Sequence, residues 1–205
     1  MIRGAQVAAL VEGLPDWRFR AKHRFRPVRM FGVTAWLTVS VNATEWRRRE
    51  RYGLGALTGL DVLDGLLGLP LGLPVPTEAL TARERQLVSH LPHSVVVNCA
   101  DAVIRRAEPV IECSLAVVFA QSWSAGLADA SKFAPFCQRL TVLDSRPANE
   151  IEACLQASYY GVGLLVHTPD KHLMLVPPEP LIDRRVNAAT WWFTEEAYRQ
   201  IRAVG

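Results

Sequence analysis

Residues 101–118 read Asp-Ala-Val-Ile-Arg-Arg-Ala-Glu-Pro-Val-Ile-Glu-Cys-Ser-Leu-Ala-Val-Val. Val103 and Ile104 mark one short strand; Val110, Ile111, Leu115, Val117 and Val118 mark a second. Arg105 to Pro109 form the polar break between them, so the stretch is expected to fold as two antiparallel strands joined by a tight turn. Asp101 opens the first strand and Glu112 stands within the second. In such a hairpin both carboxylates reach one end of the sheet, the arrangement a hard divalent cation requires. The bland alternative is a structural pair in which Arg105 and Arg106 neutralise the two acids.

Around this stretch the chain alternates short strands and helices. Val95 to Cys99 is a strand, Ser122 to Gln138 a helix on a Trp123, Leu127, Ala130, Ala134, Cys137 stripe, and Leu140 to Leu143 a strand. Ala148 to Tyr160 is a helix with Ile151, Leu155 and Tyr159 on one face. Leu164 to His167 and His172 to Val176 are strands, and Asn187 to Val204 is a terminal helix carrying Trp191, Trp192, Tyr198 and Ile201. Thr81-Ala-Arg-Glu84 is a capping box that opens a further helix running to His90. The fold class expected is mixed α/β, a central mixed sheet flanked by helices.

The amino-terminal part differs in charge. Residues 1–60 hold eleven Arg/Lys against four Asp/Glu, while residues 61–205 hold twelve against sixteen. Residues 5–14 read as a short amphipathic helix ended by Pro15. Arg18, Arg20, Lys22, Arg24 and Arg26 then fall at every second position, which places all five on one side of an extended chain. Phe31 to Val41 is a strong strand, and Asn42 caps a helix with Glu45 as its reciprocal partner. That helix carries Arg47, Arg48 and Arg49. Both basic rows suit phosphate contacts, and both equally suit solvated faces. Residues 1–76 are therefore expected to form a basic α/β extension ending in a glycine- and proline-rich linker, with residues 77–205 as the core.

Other classes are excluded or lack a motif. Leu54 to Val75, the most apolar stretch, is broken by Asp61, Asp64, Pro70, Pro74 and several glycines, so it is no membrane helix. The amino terminus shows no secretory pattern, and Cys99, Cys113, Cys137 and Cys154 lack zinc spacing, so a cytoplasmic protein with reduced thiols is expected. Gly53-Leu-Gly55 and Gly161-Val-Gly163 do not match a phosphate loop. Ser122, Ser124, His90, His93 and His167 are not tied together by any nucleophile-elbow pattern.

From Pro92 to Val176 the order is three strands, helix, strand, helix, strand, with a helix leading in. That order, with Asp101 on the second strand and Glu112 on the third, resembles the core of the PD-(D/E)xK (restriction-endonuclease-like) nuclease family. Pro109-Val-Ile-Glu-Cys-Ser114 looks like its signature third strand, and Tyr159 to Val166 is similar to its later strand. The resemblance implies Mg²⁺ held by Asp101 and Glu112, hydrolysis of phosphodiesters, and a nucleic-acid partner. The family places a lysine two residues after the third-strand acid, where this chain has Ser114. A serine supplies no cation to stabilise charge on the phosphate. Lys132, the lone lysine between Lys22 and Lys171, is the replacement candidate, although helical spacing puts it opposite the Trp123 stripe. Two readings stay open: a Mg²⁺-dependent nuclease, and a catalytically inactive nuclease-like fold acting as a binding or assembly subunit through a protein partner or a second copy.

Overall fold

The computed structural model describes residues 24–168, 171–181 and 186–204. The expected helix at 5–14 and the basic positions Arg18, Arg20 and Lys22 lie outside the described residues. The class is mixed α/β, as the element alternation implies. The described residues form two compact units, one of residues 24–40 and 113–181, the other of residues 41–112 and 186–204. Residue 76, the end of the expected linker, is the last of a strand inside the second unit.

The first unit is built on a six-stranded sheet in the order β1-β2-β6-β7-β8-β9. Its strands are β1 (Arg24–Met30), β2 (Val33–Val41), β6 (Ile111–Ala120), β7 (Gln138–Leu143), β8 (Val162–His167) and β9 (His172–Val176). β6, β7 and β8 run parallel, and β1 and β9 pair antiparallel with their neighbours β2 and β8. Parallel neighbours need helical crossovers, here α4 (Trp123–Ser131) and α5 (Glu150–Tyr160). Because helices cover one face, β6 is buried without alternation from Leu115 to Val118. The opposite face holds Leu115, Val117, Leu140, Val142 and Leu165, with Phe25, Trp36, Phe119 and Met174 packed against them.

Small residues let the crossover helices sit close to the sheet. A Cβ placed on Gly126 of α4 would lie 2.2 Å from Thr141 Cγ2 on β7. On α5, Ala153 and Ala157 face inward. The Ile151, Leu155 and Tyr159 face is the outer one, at 77, 67 and 82% exposure. The Trp123 indole donates to Gln156 Oε1 at 2.8 Å, tying α4 to α5. The strong strand expected from Phe31 begins two residues later, because Phe31 (φ 54°) and Gly32 (φ 77°) make the β1–β2 turn. Positive φ at both turn residues matches the twist of a two-residue hairpin. Phe31 bears that uncommon backbone while stacking on Phe136 at 5.6 Å and meeting Phe133 edge-on.

The second unit carries a three-stranded sheet, β3 (Pro74–Pro76), β5 (Ala102–Arg105) and β4 (Val96–Asn98), in the order β3-β5-β4. It also holds α1 (Ala43–Tyr52), α2 (Leu60–Leu67), a 3₁₀ turn (Thr77–Ala79), α3 (Ala82–His90) and α6 (Ala188–Val204). Its core gathers Leu63, Leu66, Leu69, Leu80, Val88, Val95, Val96, Val103, Ala107 and Trp191. Thr81 and Glu84 form the expected capping box in both directions. Asn42 does cap α1 by accepting from the Glu45 amide, but the Glu45 carboxylate turns to arginines instead of bonding back.

The hairpin expected across residues 101–118 does not form. Both edges of β5 are occupied, by β3 and by β4, while β6 joins the other sheet. The expectation followed a local polar break, whereas pairing was decided by partners at residues 74–76 and 96–98. Gly126→Ala is expected to destabilise the chain by about 1–3 kcal/mol through overpacking against Thr141, read as a lower urea midpoint at unchanged slope.

Candidate functional site

The residues singled out from sequence separate into distinct settings. Asp101 is exposed just before β5. Glu112 is exposed near the start of β6, in the other sheet. Ser114, two residues on, is half-buried and its hydroxyl donates to the Thr38 carbonyl of β2 at 3.3 Å. Lys132, at the C-terminal cap of α4, donates to Asp129 at 2.8 Å and stays exposed, while Trp123 and Ala130 of the same helix are buried. Arg105 donates to the Leu66 carbonyl at 2.8 Å and lies over the Trp191 ring at 5.6 Å. Burial holds its guanidinium below its ordinary value.

The hairpin that would bring Asp101 and Glu112 together is absent. Among the described residues, no three His, Cys, Asp or Glu side chains gather as metal ligands.

The basic rows resolve into different roles. Arg24 opens β1, and half-buried Arg26 donates to the Phe25 carbonyl. On α1, Arg47 is exposed and donates to Ala43 O, Arg48 is half-buried, and Arg49 is completely buried. Every Arg49 N–H donor is used. Nε meets Glu45, Nη1 meets Gly55 O and Glu195, and Nη2 meets Glu108 O and Glu195. Glu195 in turn accepts from the Trp191 indole and the Leu57 amide. Arg48 forks onto Glu45 at 2.6 and 2.7 Å and also donates to Ser94 O. Burial opposes the Arg49 charge, but the hydrogen bonds and charges of Glu195 and Glu45 outweigh it, holding the group above its ordinary value. This is an internal ionic node, satisfied throughout as a buried charge must be.

A second constellation lies in the first unit, at the carboxyl ends of the parallel strands. There Phe119 and Ala120 at the end of β6 with Gln121 after it, Val142 and Leu143 at the end of β7 with Asp144 after it, and His167 of β8 line a cavity of about 210 Å³. Open α/β sheets bind ligands at this edge, since crossover loops diverge there. His167 faces its cross-strand partner His172 with Nδ1 atoms 2.7 Å apart. Burial first, and the His172 charge second, hold the His167 imidazole below its ordinary value. Sequence reasoning named His167 singly but missed Asp144 and the pairing. The signal was present, since two histidines stand five residues apart around Thr-Pro-Asp-Lys, at the junction of two apolar runs.

No family model matches the chain, and neither a curated protein nor a solved structure matches it. No helix among the described residues is long and apolar enough to cross a membrane. The four cysteines are free thiols, with Cys113 and Cys137 buried.

Arg49→Ala is expected to cost about 3–5 kcal/mol, because it leaves buried Glu195 without its cation and takes one of two arginines from Glu45. Arg47→Ala, on the same helix but exposed, should change stability by less than about 0.5 kcal/mol. Paired urea titrations check the contrast.

Proposed function

We propose that the chain is a nuclease-like α/β protein that binds nucleic acid and does not cleave it. The observation that carries the second half is the neighbourhood of Glu112. β6 lies between β2 (Val-Thr-Ala-Trp-Leu-Thr-Val-Ser-Val) and β7 (Gln-Arg-Leu-Thr-Val-Leu) in the sheet, and neither contains a carboxylate. The family pattern needs an acid on the second strand and a lysine two residues after the third-strand acid. Asp101, read from sequence as that acid, precedes β5 in the three-stranded sheet, β2 offers neither Asp nor Glu, and Ser114 spends its hydroxyl on Thr38 O. Mg²⁺ takes carboxylates together with phosphate oxygens, and neither β2 nor position 114 adds a charged ligand or a lysine beside Glu112.

The binding half rests on charge. Residues 1–60 carry an excess of seven positive charges, and exposed Arg29, Arg47 and Arg51 belong to that excess. Arg48 and Arg49 belong to the interior node and are set aside as phosphate contacts. Free thiols suit a reducing compartment, so we place the protein in the cytoplasm.

Incubation with single- and double-stranded DNA and RNA, with Mg²⁺ or Mn²⁺, should give no cleavage. Binding at about 50 mM salt should weaken steeply with added salt, as phosphate contacts dictate. Arg47→Glu with Arg51→Glu should weaken it roughly tenfold or more while the fold persists. Metal-dependent cleavage abolished by Glu112→Ala would overturn the inactive assignment. Absence of binding even at low salt would overturn the nucleic-acid assignment.

A further inference from the structure

His167 and His172 sit directly opposite one another on the β8–β9 hairpin, the register pair nearest the turn. Their rings lie 4.5 Å apart between centroids and are tilted by 30°. The Nδ1 atoms face each other at 2.7 Å. Below the turn, the Thr168 amide donates to Lys171 O at 2.9 Å and the Thr168 hydroxyl donates to the same oxygen at 3.0 Å, which fixes the separation of the two strands. Two imidazole nitrogens converging from rigid strands have two chemical uses. One ring donates its Nδ1 proton to the other, or a metal ion replaces that proton and takes both lone pairs.

We propose that His167 and His172 form a two-imidazole site for a borderline transition-metal ion, represented by Zn²⁺, at the rim of the carboxyl-end cavity. Zinc–nitrogen bonds of about 2.0–2.1 Å set tetrahedral nitrogens about 3.3 Å apart, so the rings need open by only about 0.6 Å. Ring rotation about Cβ supplies that without moving the sheet. His167 also lines the cavity of about 210 Å³ with Gln121 and Asp144. Asp144 is exposed and supplies the nearby negative charge, whereas Lys171 beside His172 is the opposing positive one. Neutral imidazole is the metal-binding form. Oxygen-seeking Mg²⁺ is not the ion such a site selects. The site stands apart from the nucleic-acid reading, since it uses none of the basic residues.

The test is a ZnCl₂ titration of the full chain at pH 7.5, followed by the ¹⁵N and ¹H signals of the five histidine rings. Shifts confined to His167 and His172, with affinity at least tenfold weaker in His172→Ala and unchanged in His90→Ala, are the expected result. The same affinity should fall as pH drops below about 6.5, where protons compete for the imidazoles. The four thiols also attract zinc, so total zinc uptake alone is not the readout. Shifts of other rings only, no shift at millimolar zinc, or equal shifts in a His167→Ala/His172→Ala control normalised to thiol binding would overturn the proposal. His172 is exposed at the hairpin end, so unchanged thermal unfolding of His172→Ala would establish that lost binding is local.

Discussion

Burying a guanidinium without losing stability requires an acceptor for every N–H, and this requirement organises the second unit. Arg49 draws its acceptors from α1 (Glu45), from the loops after α1 and β5 (Gly55 and Glu108), and from the terminal helix (Glu195). Glu195 lies 146 residues away in the chain, so one ion pair brings the carboxyl-terminal helix onto the α1 region. The Tyr198 ring lies 5.6 Å from the guanidinium, and Trp46 meets the same ring edge-on at 5.1 Å. Such a node adds little net free energy relative to an apolar core of equal volume. Its contribution is selectivity, because a misplaced α6 would deprive buried Arg49 of both Glu195 acceptors.

That selectivity explains why the charge of α1 was misread from sequence. Arg47-Arg48-Arg49 looks like one basic patch, yet successive helical residues point about 100° apart, so the three face different environments. Glu45 lies at i−3 to Arg48 and i−4 to Arg49, and that local pairing was readable. Glu195 was not readable, since nothing in a single sequence links residue 49 to residue 195. The same division holds elsewhere. Thr81 and Glu84, the β7–α5–β8 order and the terminal helix were legible because their signals are local in the chain. The fate of β5 was not, because a four-residue strand pairs with whichever edges the tertiary fold presents. On α5 the apolar Ile151, Leu155, Tyr159 row suggested an inward face, while close packing favoured the alanines.

The two candidate chemistries therefore sit in different kinds of backbone. The carboxylates read from sequence flank β5 and begin β6, strands that belong to separate sheets. The residues gathered by topology come from the ends of three consecutive parallel strands, where side chains separated by some twenty residues converge by construction. A functional group placed by sheet register is held more rigidly than one placed by a loop, which is why His167 and His172 meet although neither belongs to a recognisable motif.

The loss of the lysine and the loss of the second-strand acid belong together on the nuclease-like reading. A half-buried lysine at position 114 would need a carboxylate nearby, and β2 provides none. An acid on β2 beside Ser114 would lack the compensating cation in the same way. Once either charge is gone, the remaining one becomes a desolvation cost with no catalytic return. The arrangement that satisfies the sheet is the neutral one seen here, a serine hydroxyl donated to the Thr38 carbonyl, with Glu112 exposed two residues earlier on β6.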